Sequence, residues 1–334
     1  MIKRIVSILL IVVLLVIFGG LCFAFLNLVV TERIVEQVTL TPELDVRSIE
    51  DWEIQKSALL ETLQEEQYGI VPCTEVDWMV EKTILDSDVL NGTAQYELWT
   101  LTAPGGDLVL NIVGLFPDSD QPLPMVVASN FCPHHVRYPN YDIPVPAHFP
   151  SMCETEGFLG GLVGNVFGEY LTTYPVEDFV ENKVALVNVF LAEGVADDPV
   201  HYKEGLDRVA NVTGTDVTGV LAAWAWTFGE VTRIFEADER INENKTAVYG
   251  HSRDGKAALL AAAFNENIDL VLSHQSGKGG AAPWQREVGE SVEAVTGTYG
   301  FWFTPSLANF AGRDSELAAD QHALIAAVAP RPVL

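Results

Sequence analysis

The chain has 334 residues, 49% apolar and 19% charged, which excludes intrinsic disorder and allows one large core. With Lys3 and Arg4 set apart, 17 basic residues face 46 acidic ones, a net charge of −29. A surface of that sign repels nucleic acid and anionic lipid, so neither is expected as a charge-bound partner.

Lys3 and Arg4 precede Ile5–Val30, a stretch without a charge. It exceeds the apolar part of an ordinary signal peptide and is long enough to cross a bilayer. An uncleaved transmembrane anchor over 1–30 is expected, with a cleaved signal as the alternative. Positive charge before the span and Glu32 and Glu36 after it place the body outside the cytoplasm. Residues 31–47 read as a polar stalk, and 48–334 as the folded domain.

Apolar residues at helical spacing (Trp52, Ile54, Leu59, Leu60, Leu63) predict a helix over 48–69, with Ser48 and Asp51 as its start signal. Strands are predicted at 78–85, 93–103, 107–116 and 123–131, with turns at Pro-Gly-Gly 104–106 and Pro-Asp-Ser-Asp 117–120. From residue 183 strands alternate with helices: strand 183–190, helix 219–238, strand 245–250, helix 255–267, strand 268–277, helix 320–330. A last strand opens at 331–334. This alternation predicts an α/β domain with a mostly parallel central sheet. Cys73, Cys132 and Cys153 form no C-x-x-C pair, so zinc is not expected. Outside the cytoplasm, a Cys132–Cys153 disulfide and buried free thiols stand as equal alternatives.

The stretch AVYGHSRDGKAALL (247–260) admits two readings. Gly250, Gly255 and Lys256 fit a phosphate loop, G-x-x-x-x-G-K. That loop needs Ser or Thr next, where Ala257 stands, and an aspartate ending a later strand, whereas Asp269 begins one. Gly250-His251-Ser252 also opens a nucleophile elbow between strand and helix. Asp254 stands where the generic G-x-S-x-G has its second glycine, and Gly255 follows it. The pattern is G-x-S-R-x-G-K.

That pattern resembles the glucuronoyl esterases, carbohydrate esterase family 15, in their bacterial branch. The likeness runs through 222–292 and 297–334, including Leu317-Ala-Ala-Asp-Gln-His322 before Ala329-Pro-Arg-Pro332. It also takes in 65–72, 129–135 and 174–190. The resemblance implies an α/β-hydrolase three-layer sandwich. It implies a serine carboxylic-ester hydrolase that cleaves 4-O-methyl-glucuronate esters linking xylan to lignin through an acyl-enzyme. Ser252 would be the nucleophile, and Arg253 with a backbone N–H would hold the oxyanion. Lys256 and Glu290 would bind the sugar. No cofactor and no metal are expected. The expected partner is glucuronoxylan or another uronate-ester polysaccharide, with the membrane met only through the N-terminal segment, and the protein is expected to be a monomer.

The acid and the base do not follow so directly. Some family members carry a glutamate where this chain has Gln275, and glutamine cannot supply the charge that steadies an imidazolium. Others place the acid after the strand that Arg-Pro-Val opens, with the histidine later still. Here that strand reaches Leu334, so the last strand and helix are expected to be missing, leaving an open sheet edge. Little turnover is expected of residues 1–334 alone. His274, His322 and His135 are the remaining candidates for a base. Two alternatives stay open: a catalytically dead carbohydrate-binding homologue or fragment, and an acetyl- or feruloyl-type esterase on the same scaffold.

Overall fold

A computed structural model of the chain describes residues 40–150, 153, 174–286 and 288–334. Seven strands form one sheet: β1 (Met79–Val89), β2 (Ala94–Thr102), β3 (Val109–Pro117), β4 (Leu123–Ser129), β5 (Ala185–Val189), β6 (Ile241–His251) and β7 (Leu270–His274). Their spatial order is β1-β2-β3-β5-β4-β6-β7. The runs with the most continuous apolar character, in β3, β5 and β4, take the middle of the sheet, where both faces are covered. The parallel half expected from the strand–helix alternation is β5-β4-β6-β7. The other half is antiparallel: β1, β2 and β3 form a meander, and β3 pairs with β5 in the same sense. Pro332–Leu334 lies along β7, with the Leu334 N–H donating to Val271 O at 2.9 Å and the Ser273 N–H to Leu334 O at 2.8 Å.

The helices are α1 (Ile49–Leu63), α2 (His134–Arg137), α3 (Val176–Glu181), α4 (Tyr202–Thr213), α5 (Val220–Glu236), α6 (Arg253–Phe264), α7 (Val292–Tyr299) and α8 (Gln321–Val328). Strand side chains alternate between two cores. Val127, Val187 and Val248 face a large core shared with α1, α5, α6 and α8. Ala128, Leu186 and Tyr249 face a smaller one, with Tyr138 beyond α2 and Val180 of α3. The long helix predicted over 219–238 is α5. It is buried almost all round, and its Phe235 ring stacks 4.1 Å from Trp99 of β2. Each such large apolar side chain stabilises the fold by about 1.5–3 kcal/mol on burial.

Ser48 caps α1 by accepting from the Asp51 N–H at 3.0 Å, as its position predicts. Helix α4 was not among the predicted elements, although its buried Leu206, Val209 and Thr213 recur at helical spacing; Gly205 sits inside it, where glycine weakens helix propensity. The structure supplies the reason for that glycine: a Cβ there would lie 2.6 Å from Val195 Cα. Cys132 and Cys153 form a disulfide, while Cys73 is free and exposed. Closing a loop of that span, 21 residues apart, is worth about 3 kcal/mol in a chain-entropy estimate. The predicted anchor over 1–30 and most of the predicted stalk lie outside the described residues. Among the described residues no helix is long and apolar enough to cross a membrane.

Candidate active site

Strand β6 ends at His251 and α6 begins at Arg253, so the whole reversal falls on Ser252. Its backbone has φ +54° and ψ −122°, a region that an L-residue enters only under constraint. Two hydrogen bonds supply part of that constraint: Ser252 N–H donates to His274 O at 2.9 Å, and Lys256 N–H to Ser252 O at 3.1 Å. The glycines supply the space. A Cβ on Gly250 would lie 2.2 Å from the Asp254 carbonyl oxygen, and one on Gly255 would lie 2.8 Å from that of Gly250. Strand and helix can cross this closely only where both side chains are absent. The spacing in G-x-S-R-x-G is therefore the steric signature of the turn. Ser252 stands at the N-terminus of a 12-residue helix, where backbone N–H groups lack intrahelical acceptors and favour negative charge.

Arg253 follows the serine, and its guanidinium is fixed on two sides. Nε lies 2.7 Å from an Asp197 carboxylate oxygen, and the guanidinium carbon sits 4.3 Å from the centre of the Phe131 ring. The two charged side chains are only 18% and 11% exposed, so solvent screens their attraction little. Asp197 also accepts from the Trp302 indole N–H at 2.7 Å. Asp197 lies outside every segment the sequence singled out, and Phe131, though inside 129–135, was given no role there.

Lys256 lies one helical turn beyond Ser252 and is buried. Its ammonium donates to the carbonyls of Ser276 and Lys278, the latter at 2.7 Å. Burial pushes its pKa down to about 8, with the charge of Glu290 opposing the shift. The lysine thus ties down the 276–278 loop, while Glu290 is exposed beyond it. Gln275, at the expected acid position, adopts φ +47° and places Oε1 2.9 Å from His251 Nε2. Beside it, exposed His274 meets the Tyr249 hydroxyl at 3.3 Å through Nδ1. The other candidate bases lie in different surroundings. His322 places Nε2 2.8 Å from the Pro42 carbonyl. His135 packs edge-on against Phe149, and burial lowers its pKa. Among the described residues, no histidine hydrogen-bonds the Ser252 hydroxyl. An Asp–His pair does occur at Asp198 and His201 (3.0 Å), but Asp198 also accepts the Val200 and His201 backbone N–H groups, which makes it the turn that starts α4.

Two carboxyls near these elements, buried Asp254 and half-buried Glu193, give the fold a pH dependence. Burial pushes Asp254 up to about 7, with Arg253 opposing. Burial likewise pushes Glu193 up to about 7, against two hydrogen bonds from Asn111 of 2.7 Å each. Both folded values exceed the unfolded range of about 4. The folded state therefore holds these protons more tightly, and stability falls as pH rises from about 4 to 7. Asp238 acts oppositely: hydrogen bonds from Arg240 and Lys82 outweigh its burial and hold it low, so its contribution is lost only in stronger acid. The thermal midpoint is expected to be several degrees higher at pH 5 than at pH 7.5, with Asp254→Asn flattening the slope in melts across pH 4.5–8. A midpoint that rises with pH over that range would contradict this account.

A cleft lined by Cys73, Trp226, Arg233 and Phe264 lies at the far end of α6, roughly 15 Å of helix from Ser252. Its one deeply buried acid, Glu230, is taken up by the Val76 N–H, the Trp78 indole and Arg233.

Known proteins resemble this chain in sequence and in fold. A family model described as glucuronyl esterase, fungi, matches residues 170–334. Carbohydrate esterase MZ0003, from an unknown prokaryotic organism, is 41% identical over 116 residues, covering 35% of this chain and 27% of its own. The 4-O-methyl-glucuronoyl methylesterase 1 of Wolfiporia cocos is 35% identical over 161 residues, covering 44% and 39%. The chain thus spans about a quarter to two-fifths of the length of these curated relatives. The solved CE15 glucuronoyl esterase from Teredinibacter turnerae superposes with a TM-score of 0.67 at 29% identity, covering 88% of this chain and 69% of that one. By sequence over residues 170–334 and by fold, the chain is placed with the glucuronoyl esterases, carbohydrate esterase family 15.

Proposed function

We propose that the protein hydrolyses esters of 4-O-methylglucuronate, on xylan or a similar uronate-ester polysaccharide, through an acyl-enzyme on Ser252. The observation that carries the reading is the strained serine at the head of α6 with a fixed arginine beside it. In the first step Ser252 Oγ bonds to the ester carbonyl carbon, and the alcohol leaves with a proton. In the second, water takes the place of the alcohol and releases the free uronate. Negative charge gathers on the carbonyl oxygen in both steps, and the helix N-terminus and Arg253 suit that charge. Lys256 and Glu290, beside the 276–278 loop, are assigned to the sugar hydroxyls and carboxyl. The same reading puts the enzyme outside the cytoplasm, held by the N-terminal segment or released after its cleavage.

A substrate panel tests the assignment. The full gene product is expected to cleave benzyl or methyl glucuronate esters at least tenfold faster, in kcat/KM, than aryl acetates or methyl ferulate. A reversed order would move the protein to an acetyl- or feruloyl-type esterase.

One observation favours a second reading. Gln275 replaces a carboxylate and is paired with His251, an arrangement without charge to support a base. A non-catalytic binder would retain affinity for glucuronoxylan while cleaving no ester in the panel.

A further inference from the structure

The inference concerns what makes Arg253 useful, and it rests on the hydrolase reading above. An arginine side chain has about 2 kcal/mol of rotamer freedom, and a freely moving guanidinium would reach an oxyanion only part of the time. In this structure that freedom is removed by residues from three other parts of the chain. Asp197 follows β5 and meets Nε at 2.7 Å. Phe131 follows β4 and lies against the guanidinium plane at 4.3 Å. Trp302, past α7, donates its indole N–H to Asp197 at 2.7 Å, and its own ring is held by Tyr299, stacked 4.1 Å away at 9°. The ion pair approaches most closely at Nε, and the Nη groups make no hydrogen bond to the described residues; the pair is held by charge and not by an aligned hydrogen bond. That division suits an oxyanion donor: the carboxylate sits at the Nε edge, and among the described residues the Nη donors have no partner.

We propose that Asp197 is a positioning residue for the esterase reaction, clamping Arg253 through Nε, with the Trp302 indole N–H fixing Asp197 in turn. Asp197 touches neither substrate nor Ser252 in this role. It acts by pre-orienting the cation that meets the developing oxyanion. The pair also lies largely out of solvent, so removing the carboxylate leaves a guanidinium both mobile and without its counter-charge.

The test is a double-mutant cycle on the full gene product with a glucuronate ester. Asp197→Ala is expected to lower kcat about 10- to 100-fold with KM within about threefold. Asp197→Asn, which keeps an acceptor but no charge, is expected to recover part of the loss. In an Arg253→Ala background, Asp197→Ala is expected to cost less than about twofold, because the group it orients is already gone. Trp302→Phe removes the indole N–H together with part of a buried ring and is expected to lose kcat a few-fold, again only while Arg253 is present. It serves as the second probe should Asp197→Ala fail to fold. An equal loss in both backgrounds would show that Asp197 acts independently of Arg253, and an unchanged kcat would show that no clamp is needed; either overturns the proposal. A wild-type protein that turns over no ester would instead overturn the hydrolase reading, and that result is read before any variant is made.

Discussion

Ser252→Ala is expected to reduce turnover of a glucuronate ester roughly ten-thousandfold or more, with KM changed by less than about threefold. The alanine removes the one atom that forms the acyl bond. Arg253, Lys256 and Glu290 stay where they are, so ground-state binding is largely kept. The backbone argument adds a second readout. At φ +54° alanine is as strained as serine, whereas glycine is not. Ser252→Gly should therefore lose activity equally but melt at a higher temperature than Ser252→Ala, by about 1 kcal/mol of stability. Such a difference would show that the strain is borne for function. Turnover that survives Ser252→Ala would remove the serine from the mechanism altogether.

The second large effect is on folding. Gly250→Ala is expected to destabilise the protein by about 3 kcal/mol or more, measured by urea unfolding. Its Cβ would lie 2.2 Å from the Asp254 oxygen, 2.3 Å from the Asp254 carbonyl carbon and 2.6 Å from Gly255 N. All three are backbone atoms in the first turn of α6, so no side chain can swing away, and the helix must move off β6. Gly255→Ala should cost less, since its nearest atom is at 2.8 Å and the next two at 3.2 Å. Gly297→Ala is the control. It lies inside α7 with nothing within 4 Å of its Cβ, and alanine there is expected to be neutral or to add up to about 1 kcal/mol. Should Gly250→Ala and Gly297→Ala unfold at the same urea concentration, the steric account of the elbow would be wrong.

Much of this site was legible because it is local. Gly250, Ser252, Arg253, Gly255 and Lys256 lie within one strand–turn–helix unit, where type and spacing state the geometry directly. The helix nevertheless begins at Arg253, two residues before the expected 255, because the chain reverses on a single residue. Lys256 shows the limit of motif reading. The pattern singles out the lysine, but only the fold shows that it is buried and donates to two loop carbonyls. Gln275 was visible as the wrong residue for an acid, but its contact with His251 depends on β6 and β7 lying side by side.

By itself the sequence determined the strands, the long helix α5, the elbow and the family likeness, because each is written in spacing over a few residues or in a long joint pattern. Only the tertiary structure decided that Cys132 meets Cys153, that the front half of the sheet is antiparallel, and that Arg253 is held by Asp197, Phe131 and Trp302. Those partners sit in segments far apart in sequence. They meet because β4, β5 and β6 stand next to one another in the sheet and bring their carboxyl ends to one edge. No local period encodes which loops then face each other, so the clamp on the arginine appears only once the sheet order is known.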